Sequence, residues 1–298
     1  MQKTLDLSIK THETGTTEGG FTVKDGKAYA SYMSNSAWNA FIGDMEENYP
    51  QAFGEYGAGS GGECKSNGVY PPKMASYGSS SRMIYNLCKD IPGFRFEYKL
   101  PTTVGGVANL DGYLEKEDEL IYVEAKCREP YGEKPHLIEA KYEELYRYLN
   151  EQPTNNLNIS MPEKTGSKIK VVFSVDGKEI RHFDMKQMLC HLLGIATKHL
   201  QEPTSKRISF LYLVYDPTQI ELIHSKKGAK IVETYNTMCA ECNAVEFKAL
   251  FEDICHFLAK KRNLLNANIA EISKSFSFQL RNQSDFLIEE RNSQGKEQ

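Results

Sequence analysis

The sequence predicts an α/β (α+β) fold, with strands and amphipathic helices following one another in the middle of the chain. Three observations carry this. From Phe94 to Leu100 the apolar residues Phe94, Phe96, Tyr98 and Leu100 alternate with Arg95, Glu97 and Lys99, the two-residue period of a strand. Two further strand-like segments, Asn109 to Leu114 and Ile121 to Cys127, flank the acidic run Glu115 to Glu119, which reads as the solvated connection of a hairpin. A strong helical pattern from about Phe183 to Leu200 then leads into the apolar run Ile208 to Tyr215, a strand ended by Asp216-Pro217.

The other elements are read in chain order. Residues 1–35 are polar and rich in Gly and Thr, with weak strand character from Gly20 to Tyr32. Ala37 to Asn48 predicts a short helix ending before Pro50. Residues 54–79, rich in glycine and serine and containing Pro71-Pro72, predict a loop. Ser79-Ser80-Ser81 then caps a helix over Arg82 to Asp90. His136 to Leu149 is amphipathic and predicts a helix, and polar residues 150–167 an insertion. Lys168 to Val175 and Glu179 to His182 predict a hairpin around Asp176-Gly177. Ile220 to Ile223 is a candidate short strand, Val245 to Asn266 a long helix capped by Asn243, and the chain beyond about Asn282 a polar tail. This organisation is one domain over residues 1–298. Its core spans about 79–216, with an insertion at about 127–181 and decorations at 1–78 and 217–298.

Composition sets outer bounds. A chain of 298 residues, 40% of them hydrophobic, can bury the core of one large α/β domain or of two smaller ones. No apolar run approaches the ~20 residues of a membrane span, and the stretch Met1 to Asp6 lacks a signal-peptide core. Seven scattered cysteines, an odd number, fit a reducing cytoplasm better than a disulfide framework. The net charge of −4 argues mildly against nucleic acid. Local basic clusters at Lys164, Lys168 and Lys170, and at Lys198, Lys206 and Arg207, still allow a basic rim.

The most informative feature lies in the hairpin. Twelve residues separate Asp111 from Glu124, and Lys126 follows two later. Side chains alternate along a strand. Asp111 and Tyr113 are therefore expected on one face, with Leu110 and Gly112 opposite. Tyr122, Glu124 and Lys126 are expected on one face of the second strand, with Ile121, Val123 and Ala125 on the other. Where the two charged faces coincide, two carboxylates and an ammonium converge. Two carboxylates that close repel unless a cation or a proton compensates. A hard divalent ion such as Mg²⁺ fits that arrangement; a solvated hairpin face is the plain alternative.

On these residues the chain resembles the PD-(D/E)XK nuclease superfamily, the fold of many restriction endonucleases. Asp111 matches the first acid, and Glu124-Ala125-Lys126 matches the second element. Leu110 stands where the family often has proline. The family order of helix, three-stranded meander, helix and strand is available between about residues 79 and 216. The resemblance implies a restriction-endonuclease-like core, a central mixed sheet flanked by helices and carrying insertions. It implies a metal-dependent DNA endonuclease, type II-like, leaving a 5′-phosphate and a 3′-hydroxyl. Asp111 and Glu124 would bind Mg²⁺, which Mn²⁺ would replace, and the Ala125 carbonyl would add an oxygen ligand. Lys126 would orient water and stabilise charge, and Gln187 on the following helix would face the site. Glu97 is a further candidate carboxylate, although Arg95 and Lys99 beside it could simply pair with it. The partner implied is double-stranded DNA, and the resemblance admits a homodimer. A repair, recombination or phage-defence nuclease on the same fold, or a non-catalytic DNA-binding module, are the rival readings. Cys239-Ala240-Glu241-Cys242, with His224 or Cys255 as further partners, is a weaker candidate for zinc or redox chemistry.

Overall fold

The computed structural model of the chain describes residues 21–22, 28–29, 32–59, 62–68, 70–127, 136–219, 226–264, 268–283 and 285–286. Strands β1 (Phe21–Thr22) and β2 (Ala28–Tyr29) pair antiparallel. Helix α1 (Asn35–Asn48) is capped by Ser34, whose hydroxyl accepts from the Ala37 amide at 3.2 Å. Pro50 does not open a loop. It takes the first position of a second helix, α2 (Pro50–Gly57), where its missing N–H is no loss. Residues 54–57 are thus helical, which corrects the loop expected there. Helix α3 (Ser80–Cys88) starts as expected, with the Ser79 hydroxyl accepting from the Arg82 amide at 3.2 Å.

The strands β3 (Arg95–Thr102), β4 (Gly106–Glu115) and β5 (Glu119–Lys126) form an antiparallel meander. The inserted piece holds β6 (His136–Glu139), α4 (Glu143–Asn150), β7 (Leu157–Thr165), β8 (Lys168–Val175) and β9 (Lys178–Glu179). These strands make a second antiparallel sheet, β6-β8-β7, with β9 on β8. Two expectations are corrected here. His136–Glu139 is a strand and not a first helical turn, because Ile138 pairs with Ile169 and both are buried. The polar stretch after residue 150 contains β7. Its Leu157 and Ile159 sit at alternate positions and enter the core, and Pro162 falls in the bulge between Ser160 and Glu163. The turn between β8 and β9 holds Asp176 and Gly177 at φ 50° and 74°, the pattern of a type I′ turn.

Helix α5 (Met185–Gln201) leads to β10 (Arg207–Val214), which runs parallel to β5. Helices α6 (Lys226–Ala244), α7 (Phe247–Arg262) and α8 (Ile269–Ser275) precede β11 (Phe276–Asn282), parallel to β10. Asn243 lies inside α6 and does not cap α7, and left-handed Asn263 (φ 55°) ends α7 four residues earlier than Asn266, the end expected for it. The candidate strand Ile220 to Ile223 lies outside the described residues. The central five-stranded sheet has the order β11-β10-β5-β4-β3. It is mixed and flanked by helices, as expected. None of the described helices is long and apolar enough to cross a membrane.

Each face of this sheet buries its own core. One, beneath α1, α2 and α3, includes Tyr56, Ile84, Tyr85, Phe96, Val123, Ala125 and Leu213; the other, beneath α5 and α7, includes Leu100, Leu110, Tyr122, Leu192, Phe210 and Phe251. Phe94 and Phe96 belong to the first core, whereas Leu100 lies in the second and Tyr98 packs against it. That overturns the single apolar face expected for Phe94 to Leu100. Glu97 between them has φ 49°, and this left-handed residue reverses the alternation. β4 switches at the same level. Leu110 faces the α5 core, while a Cβ on Gly112 would meet the Phe94 ring at 2.3 Å on the opposite side. Leu110 and Gly112 therefore do not share a face.

Candidate active site

The site forms where the meander opens. β4 pairs with β5 from Glu115↔Leu120 to Gly112↔Val123, and the pairing stops before Asp111. Asp111 Oδ2 instead accepts from the Ala125 amide at 2.7 Å, replacing a ladder hydrogen bond with a carboxylate. Its carboxyl group thus lies against the peptide that joins Glu124 to Ala125. Glu124 and Lys126, at alternate positions of β5, share one face as expected, and that face meets Gln187 and His191 of α5. Lys126 Nζ donates to Glu124 Oε1 at 2.6 Å and to Gln187 Oε1 at 2.6 Å. Gln187 is held in the first turn of α5, where its amide donates to the capping Asp184 side chain at 3.0 Å. The structure therefore brings Asp111, Glu124, Lys126 and Gln187 together.

One residue of the site was not foreseen. His191 Nε2 lies 3.0 Å from Glu124 Oε2, and both side chains are buried. It stands four residues after Gln187, so both project from one face of α5. That spacing is the signal the sequence offered. It is faint, because a histidine in an apolar helix also reads as core.

Electrostatics divide the two acids. Glu124 is only 2% exposed, and burial alone would raise its pKa. The Lys126 ammonium and His191 outweigh burial and hold the carboxyl at about 2. Asp111 goes the other way. Burial and then the charge of Glu124 push its pKa well above the ordinary carboxylate range, and Lys126 and the Ala125 amide do not reverse this. The same site therefore favours the ionised form of Glu124 and disfavours that of Asp111. Glu97 adds to the negative charge at Asp111. It sits across from Asp111 in the gap between the pairs Phe96↔Gly112 and Tyr98↔Leu110. Its neighbours turn elsewhere: Arg95 pairs with Glu55, and Lys99 donates to the Ala58 carbonyl at 2.7 Å. A left-handed non-glycine residue costs about 1–3 kcal/mol and tends to cluster at functional sites.

The donors fit a hard cation. Asp111 and Glu124 offer carboxylate oxygens, and Glu124 Oε2 is buried without a directed hydrogen bond, since His191 approaches it off-axis. Among the described residues no group of three or more His, Cys, Asp or Glu could hold an ion alone. Mg²⁺ accepts one or two carboxylates and completes its shell with water and phosphate. The cysteine candidate is weaker still. All seven cysteines are free, and Cys239 and Cys242 lie inside α6 and not at a strand-to-helix turn. Burial raises both their thiols and that of Cys255. His224 lies outside the described residues. No protein-family model, curated protein or solved structure matches the chain.

Proposed function

We propose that the chain is a metal-dependent DNA endonuclease built on a restriction-endonuclease-like core, of the type II-like kind. The observation that carries this reading is the meeting of Asp111, Glu124, Lys126 and Gln187 at the break in the meander. The order α3, β3-β4-β5, α5, β10 supports it, being the order that the PD-(D/E)XK resemblance implies.

In this reading Asp111 and Glu124 hold Mg²⁺, with Mn²⁺ as a substitute. The ion, when bound, polarises the scissile phosphate and lowers the pKa of a water. Asp111 gives up its proton on loading, so metal binding strengthens as pH rises. Lys126 places a fixed positive charge beside the carboxylates, where negative charge grows on the phosphate in the transition state. Gln187 accepts from that ammonium and fixes its position. His191 braces Glu124 from the other side. Double-stranded DNA is the substrate, with Lys164, Lys168 and Lys170 on the inserted sheet as a basic flank.

A supercoiled plasmid incubated with the full chain tests this. Mg²⁺ or Mn²⁺ should give nicked or linear product, and EDTA should give none. Intact plasmid with both metals, alongside a gel shift showing binding, would favour the non-catalytic module.

A further inference from the structure

A second cluster stands apart from the carboxylates. A cavity of about 200 Å³ lies on the α1–α3 side of the sheet, at the end of β5 and β10. Arg82, Ser79 and Asn86 line it from the α3 segment, and Cys127 and Tyr215 from residues just beyond the two strands. Arg82 is 5% exposed, and its Nη1 has no hydrogen-bond partner among the described residues. The Tyr77 ring, 5.1 Å from the guanidinium carbon, covers one face of the group but cannot accept from its edge.

That is an expensive arrangement for a cation. Arginine does not shed its proton in a protein, and an uncompensated buried charge is strongly destabilising. Among the described residues no carboxylate lines the cavity. Other lining side chains, Ser79, Asn86, Cys127 and Tyr215, carry groups that can donate. α3 is nine residues long and starts beside the cavity, so its positive end adds to the same potential. At about 200 Å³ the space is smaller than the roughly 300–1,000 Å³ of drug-sized ligand sites. A compact oxyanion suits it.

We propose that the Arg82 cavity binds a phosphate group, carried either as a terminal monoester or as a diester of a chain. The guanidinium edge would donate to two of its oxygens, and Ser79 and Asn86 would take the others. This inference does not rest on the nuclease reading, because it uses none of Asp111, Glu124, Lys126 or Gln187.

Calorimetric titration of the full chain in EDTA tests it, with inorganic phosphate and dimethyl phosphate as probes at ionic strength fixed by chloride. The wild type should bind phosphate saturably. Arg82→Met removes the charge but keeps an apolar stem, and should weaken binding at least about tenfold, the loss expected for one charged hydrogen bond. Its unfolding midpoint should stay level or rise. Asn86→Asp, at an exposed position on the cavity mouth, leaves the core untouched and should weaken binding similarly by repelling the anion. A preference for inorganic phosphate assigns a terminal phosphate, and equal binding of both probes a chain phosphate; either supports the site. Absence of saturable binding in the wild type, or wild-type affinity in both variants, overturns it.

Discussion

At the scale of single residues, the site turns on how one lysine is shared between two acids. Lys126 commits its charge to Glu124 and leaves Asp111 with too little. Because the folded-state pKa of Asp111 is raised, the protonated form is the one that folding prefers. Stability from this group is full below its ordinary range and is lost as pH rises through its raised value. Asn is neutral at every pH and still offers an acceptor to the Ala125 amide. Asp111→Asn should therefore raise the urea midpoint of the metal-free protein at neutral pH while abolishing Mg²⁺ binding; a lower midpoint contradicts the assigned repulsion. Lys126→Met should cut single-turnover cleavage on the order of 10²-fold or more, as for other preorganised donors, and leave DNA binding in Ca²⁺ intact. Normal cleavage of bound DNA by this variant would move Lys126 from catalysis to phosphate anchoring. Asp111, Glu124 and Lys126 were legible because charge at alternate strand positions stands out against apolar neighbours. His191 and Arg82 were not, since a basic residue in an apolar helix acquires meaning only from what the fold sets beside it.

At the scale of elements, α5 is the part that completes the site. Gln187, His191 and Gly194 follow one another at spacings of four and three on one face. Gly194 lets the helix lie close on the meander: a Cβ there would sit 2.8 Å from Ala108 Cβ and 3.0 Å from Leu100 Cβ. Neither atom can turn away, because both are fixed to the sheet backbone. Alanine is a better helix former by about 1 kcal/mol, yet Gly194→Ala should destabilise by about 1–3 kcal/mol, as overpacking does. It should also lower cleavage more than DNA binding, because Gln187 and His191 are displaced with the helix. A higher urea midpoint in this variant would show that the close approach is not limiting. The period of α5 and the apolar run of β10 made both legible. β7 and β11 were missed: Pro162 and several polar residues mask the first, whereas the second carries a legible two-residue period, Phe276, Phe278 and Leu280 against Ser277, Gln279 and Arg281. The reversal at Glu97 left no trace, because Phe94 to Leu100 alternates without a break and one backbone angle switches the face.

At the scale of the whole molecule, one mixed sheet separates two cores, and the proposed metal site and the Arg82 cavity lie toward opposite faces near one end of β5. The protein's pH response should come in part from the core on the α5 side. His199 is buried against Tyr122, with Nε2 2.9 Å from the hydroxyl, and burial and then Lys198 hold its pKa down at about 4. The unfolded chain takes up that proton near its ordinary value of 6.5. Stability from His199 is therefore full above about 6.5 and falls as pH drops toward about 4. Urea midpoints between pH 7 and pH 4 should show that fall in the wild type, and His199→Gln should flatten it; an unchanged slope would place the response elsewhere. The account's central claim is that the charges gathered at the opened meander cut DNA with a metal ion. Side-by-side cleavage of one plasmid by the wild type, Asp111→Asn and Glu124→Gln in Mg²⁺ tests it most directly. Product from the wild type alone, with all three proteins folded, is the predicted result. Cleavage by either variant at the wild-type rate, or an intact plasmid in every lane, would contradict it.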